Sequence, residues 1–162
     1  LYLNKVKDRI VFKGMKKLFS MILVICSLLG GNAFSNTNSE LRYLYVNSNM
    51  SHEFTTCHSY YQLAVIVLET NDPNNPENIG MMKTRDLASE GVLLFGKEAG
   101  LSVEALLARG AMQVDIMLKE IDNNFANIAV LANKYGKSCK KLLNDPIPKV
   151  DHWKNLSLKK FP

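Results

Sequence analysis

The residues with the clearest chemistry in this 162-residue chain are cysteines, and there are three: Cys26, Cys57 and Cys139. Cys26 sits in an apolar stretch that reads as a cleavable leader. Its removal leaves Cys57 and Cys139, and an even pair in an exported chain points to a disulfide and not to a reactive thiolate. The bridge would close a loop of about 82 residues.

Other chemistry is harder to assemble. His52, His58 and His152 belong to no CxxCH, HExxH or paired CxxC spacing. His58, beside Cys57, is the one histidine that could enter a helical core as a haem ligand. Met50, His52, His58, Met81, Met82, Met112 and Met117 supply thioether and imidazole groups that suit cuprous ion. They are scattered, however, and methionine commonly fills irregular core space. No GxSxG elbow is present. Glu90 with Glu98, or Asp115, Glu120 and Asp122, could face one another across helices, but charges at this spacing usually form a solvated face.

Arg109-Gly110-Ala111 interrupts a bulky stripe with small residues, where a neighbour or an anion could come close. Arg109, His58 and Tyr61 are therefore the candidate ligand-binding residues. Glu104 and Asp115 are alternative ion-pair partners for Arg109, while Tyr60 and Tyr61 also suit core and rim positions. We expect no catalytic residue, no metal site and no bound cofactor.

Charge must be read after the leader is set aside. The chain carries 20 Lys and Arg against 15 Asp and Glu. Residues 1–35 hold six of the bases and one acid, so 14 of each remain. That balance excludes the basic footprint of a nucleic-acid binder. Distribution is uneven, with eight lysines from Lys134 onward against Asp145 and Asp151. A lysine-rich helix end is the simplest account. Lys137, Lys140 and Lys141 are the candidate contacts to an anionic membrane or cell-wall polymer.

The leader itself begins at Met15. Lys16 and Lys17 precede the apolar run Leu18 to Gly31, and Ala33-Phe34-Ser35 offers small residues for cleavage after Ser35. An apolar run of about 14 residues is shorter than the roughly 20 that a spanning helix needs, so the mature chain is expected to have no transmembrane anchor. Residues 1–14 read as upstream sequence, and the mature chain starts at Asn36.

Four elements must then position the chemistry. Residues 36–51 are Asn- and Ser-rich and read as a polar lead-in. Ser51 can cap a helix in which Phe54, Cys57, Tyr61, Ala64 and Leu68 share one face. Residues 70–80 concentrate Asn, Asp, Pro and Gly and read as a loop. A second helix follows from about Met81 to Ala99, where Gly91 and Gly96 suggest close approach of another helix. Gly100-Leu101-Ser102 marks the next boundary.

From Val103 the apolar spacing continues to Leu142 as one helix or two. A single helix would span about 60 Å at 1.5 Å per residue and carry Cys139 away from Cys57. A reversal at Asp122-Asn123-Asn124 instead gives four helices of roughly 17–20 residues. The expected fold is thus all-α: a small up-down-up-down four-helix bundle over 52–144, clipped by one disulfide, after a cleaved signal peptide. Pro146 and Pro148 end it, leaving 145–162 as a basic, mobile tail in which Trp153, Leu156, Leu158 and Phe161 could dock as a turn.

An exported helical domain with one disulfide is similar in general plan to small periplasmic acid-stress chaperones, but no shared motif allows residue roles to be transferred. The expected function is non-enzymatic: a periplasmic or secreted binding, structural or stress-related envelope component. The partner would be an envelope protein or an anionic surface. A ligand or metal carrier for copper or haem is the alternative.

Overall fold

The computed structural model describes residues 37–72 and 75–162. The upstream segment 1–14, the leader at 15–35 and Cys26 lie outside the described residues. Among those described, all regular structure is helical: α1 (Asn38–Asn71), α2 (Pro76–Glu98), α3 (Val103–Glu120), α4 (Ile128–Leu131), a π-turn (Ala132–Gly136), α5 (Lys137–Asn144) and α6 (Ile147–Lys160). Segments α4, the π-turn and α5 follow without a gap, so the described residues form five helices with the fourth distorted midway.

Helix α1 organises the rest. Its 34 residues span about 51 Å, twice the expected length, because it starts at Asn38 and not at Ser51. Thr37 is the N-cap, accepting from the Glu40 amide. The supposed lead-in is helical because Val46 and Met50, both buried, continue the face of Phe54 and Cys57 backward at spacings of four. Its amide side chains do not open the helix. Asn47 Nδ2 donates to the Tyr43 carbonyl and Asn49 Nδ2 to the Tyr45 carbonyl, one turn back. Ser51 is fully buried and donates across to the Val92 carbonyl of α2.

Helix α2 also starts earlier than expected, at Pro76, where a missing amide hydrogen costs nothing. Its N-cap is Asn75, which accepts from the Glu77 amide. It runs antiparallel to α1: Arg85 lies beside His58, Gly91 beside Phe54, Val92 beside Ser51 and Glu98 beside Tyr43. A Cβ at Gly91 would lie 2.2 Å from the Phe54 ring, and one at Gly96 would lie 2.6 Å from Leu106. The close approach expected at these two positions is present.

Two Schellman caps turn the chain. At Gly100, φ is +69°; the Leu101 amide donates to the Gly96 carbonyl and the Gly100 amide to Lys97. At the end of α3, Asn123 donates to Leu118 and Asp122 to Lys119 in the same pattern. Asp122 and Asn123 take φ of 53° and 55°, a region that short polar side chains tolerate better than most. Val103 to Asn144 forms two helices and not one, with the reversal at the expected residues.

The tail differs most from expectation. Residues Ile147–Lys160 form α6, which lies antiparallel along the first half of α1. Trp153 and Phe161 meet the Tyr45 ring edge-to-face at 6.0 and 5.7 Å. Lys149 pairs with Glu53 at 3.1 Å, and Arg42 Nε donates to the Phe161 carbonyl at 2.6 Å. The lead-in and the tail, both expected outside the helical domain, therefore cover each other. Neither has a reason to be ordered alone.

Gly110, in contrast, is not a point of close approach. A Cβ there would meet nothing within 4 Å, so the small step in α3 admits no neighbouring helix. Gly110→Ala is expected to stabilise the protein by about 0.5–1 kcal/mol, because alanine restricts the unfolded chain and fits the helix. Chemical denaturation would register this as a higher midpoint with an unchanged slope.

Candidate functional site

Cys57 and Cys139 are joined, with Cα atoms 5.2 Å apart, within the normal range for a bridge. Both are buried, at 3% and 1% exposure. Cys57 lies past the middle of α1 and not near its start. The bridge therefore fixes α5 to the centre of the long helix, and α6 continues from there toward the N-terminal end of α1.

The three residues expected to line a ligand site do not converge. Arg109 Nη1 donates to the Ser48 carbonyl at 3.1 Å, satisfying an α1 backbone group and not meeting Glu104 or Asp115. Lys119 takes Asp115 at 2.8 Å. His58 faces α2, with Nδ1 donating to the Arg85 carbonyl at 3.3 Å. Ser48 and His58 are ten residues apart on one helix, about 15 Å. Tyr61 is buried and packs on Tyr60 with ring centroids 4.8 Å apart. Met50 is fully buried and His52 exposed; two residues along a helix turn them about 200° apart. That leaves no Met50–His52 pair. No group of three His, Cys, Asp or Glu residues suited to a metal occurs among the described residues.

His58 carries a pH dependence. Burial lowers its pKa from the ordinary value of 6.5; Arg85's charge adds to the shift, while the carbonyl bond and Asp86 oppose it. Below pH 6.5 the unfolded imidazole takes up protons that the folded one does not, so stability falls with falling pH until the folded imidazole also protonates. Above 6.5 this contribution is constant. Urea midpoints at about pH 7.5 and about pH 5 should differ more for the natural protein than for His58→Gln.

One cluster was not expected. Glu120 Oε1 accepts from Lys134 Nζ and from Tyr135 Oη, each at 2.8 Å. Its other oxygen is buried without a hydrogen-bond partner among the described residues. Tyr135 stands 6.5 Å from Tyr60, centroid to centroid. The reversal at Asp122-Asn123 brings Lys134 back onto Glu120, so the only signal in the sequence was the turn itself. The hydrogen bond to Glu120 raises the lysine pKa. Burial, then the Glu120 bond, raises that of Tyr135. Both shifts lead away from neutrality, opposite to the tuning of a general base. Tyr60 and Tyr61 are likewise raised by burial.

Lys137, Lys140 and Lys141 are all exposed. At 100° per residue they fall within an arc of about 100° on α5, opposite the buried Cys139 and Leu142. Four of the other five lysines from Lys134 onward are engaged: Lys134 with Glu120, Lys149 with Glu53, Lys154 with Asp151, and Lys160 over the Tyr45 ring at 4.6 Å. No family model, curated protein or solved structure matches this chain.

Proposed function

We propose that this chain is an exported, non-enzymatic binding or structural protein of the cell envelope. The observation that carries the reading is the buried bridge between Cys57 and Cys139, since disulfides of this kind persist in oxidising compartments. The Met15–Ser35 stretch supports the same compartment through its basic, apolar and small-residue order.

Binding, and not turnover, is supported by how the polar groups are used. Arg109 and His58 complete backbone hydrogen bonds, and Glu120, Lys134 and Tyr135 bond one another. Surface groups remain for contact. On α3, Met112 and Ile116 stay exposed one turn apart, and adjoining apolar side chains left to solvent are a mark of contact regions.

Fractionating cells that express the full chain tests the reading. The expected product lies outside the cytoplasm, begins at Asn36 and has no free thiol. A cytoplasmic product with its N-terminal segment intact and reduced cysteines contradicts export. Turnover of an envelope substrate, abolished by Glu90→Gln, contradicts the non-enzymatic part.

A further inference from the structure

We propose that the outer flank formed by α5 and α6 docks this protein peripherally on an anionic phospholipid surface. The inference rests on reading the chain as an envelope binding protein and names the partner. Its geometric basis is that α5 and α6 follow one another along α1. The bridge at Cys57, the Lys149–Glu53 pair and the Trp153–Tyr45 contact hold one side of this segment inward. The exposed sides of both helices therefore form one flank.

Lys137, Lys140, Lys141, Lys154 and Lys159 are exposed on α5 and α6, with Asp145 and Asp151 as the acids of the same stretch. Lys137, Lys140, Lys141 and Lys159 make no ion pair among the described residues, whereas Lys154 and Asp151 offset each other at 3.6 Å. Net positive charge on a firmly anchored helix attracts an anionic surface.

Charge alone would suit a soluble polyanion equally well. The choice of lipid comes from two aliphatic side chains, Ile147 and Leu158, which are 65% and 52% exposed. They are eleven residues apart, so at 100° per residue they fall within about 20° of each other on α6. Their neighbours on that face of α6 are the mutually offset Asp151 and Lys154, so the attracting charge comes from Lys137, Lys140 and Lys141 of α5. Exposed apolar groups on the same flank as such a cluster match a headgroup boundary, where the lysines meet phosphates and the aliphatic groups enter the acyl edge. A hydrated polymer offers those aliphatic groups nothing. No helix among the described residues is long and apolar enough to cross a membrane, and the contact proposed is peripheral.

The test is sedimentation of the purified mature chain with vesicles of phosphatidylcholine alone or mixed with phosphatidylglycerol. Binding is expected only to the mixed vesicles, weakening as salt rises. Each lysine near the surface changes partitioning about fivefold, so Lys137→Gln, Lys140→Gln and Lys141→Gln together should weaken it roughly 100-fold. Ile147→Ser with Leu158→Ser should reduce vesicle binding and leave binding to inorganic polyphosphate unchanged. All five positions are exposed, and an unchanged thermal midpoint shows that the fold is retained.

The proposal is overturned if mixed vesicles do not bind at low salt, or if the triple variant binds as the natural protein does. It is also overturned if the Ile147 and Leu158 substitutions leave vesicle binding unaffected while polyphosphate still binds, since the flank would then recognise a polymer. These outcomes concern purified protein and are independent of where fractionation places it.

Discussion

Replacing both Cys57 and Cys139 by alanine is expected to lower the unfolding free energy by about 4 kcal/mol, the largest effect of any substitution pair considered. The bridge closes a loop with a sequence separation of 82, for which the chain-entropy model gives about 4.5 kcal/mol. A domain of this size is normally stable by roughly 5–15 kcal/mol, so a large share of its margin depends on one bond. The thermal midpoint should fall by roughly 15 °C. Reduction of the natural protein should reproduce the effect, and reducing agent should leave the double variant unchanged. A loss under about 1 kcal/mol would mean that the bridge constrains little of the unfolded chain.

Gly91→Ala should destabilise the protein by about 2–3 kcal/mol, at the upper end of ordinary overpacking. The added Cβ would lie 2.2 to 2.5 Å from three atoms of the Phe54 ring. That ring cannot swing aside: Phe54 is 6% exposed and stacks on Phe95, centroids 5.4 Å apart. Relief requires separation of α1 from α2, and the Ser51–Val92 bond next to the contact would stretch with it. The cost should be coupled to the ring. In Phe54→Leu the same glycine substitution should cost at least 1 kcal/mol less, a difference that a double-mutant cycle with denaturant midpoints can resolve. Gly110→Ala, with open space around its Cβ, is the matched control.

Periodicity made much of the helical architecture legible in the sequence. The boundary at Gly100, the reversal at Asp122-Asn123, the tight contact at Gly91 and the pairing of Cys57 with Cys139 were all readable from it. Cys57 nevertheless lies past the middle of its helix and not near its start, because α1 begins thirteen residues before Ser51. Asn and Ser between 36 and 51 suggested a polar lead-in, yet two of these asparagines bond back one turn within the helix. The tail looked mobile for a related reason. Trp153 and Phe161 are too few to form a core of their own, and Tyr45, the surface they pack on, lay in a segment read as a polar lead-in outside the helical domain.

The candidate ligand residues do not share one site, for a geometric reason. Helical spacing assigns a residue to a face but not to a height along a neighbour. Arg109 reaches α1 at Ser48 and His58 meets α2 at Arg85, contacts about 15 Å apart along α1. The lysines were easier, since exposure on α5 follows directly from lying opposite Cys139 and Leu142. The Glu120–Lys134–Tyr135 group was least legible. It depends on a π-turn at Ala132–Gly136, a local irregularity that no spacing rule anticipates.

The proposed export and the docking of α5 on α1 meet at one bond. A nonreducing digest of the protein isolated from cells that make it, read by mass spectrometry, tests that bond directly. The account predicts a single cross-linked pair of peptides containing Cys57 and Cys139, lost on reduction, and no peptide bearing Cys26. Two free thiols, or a Cys26 peptide bridged to either partner, would contradict it.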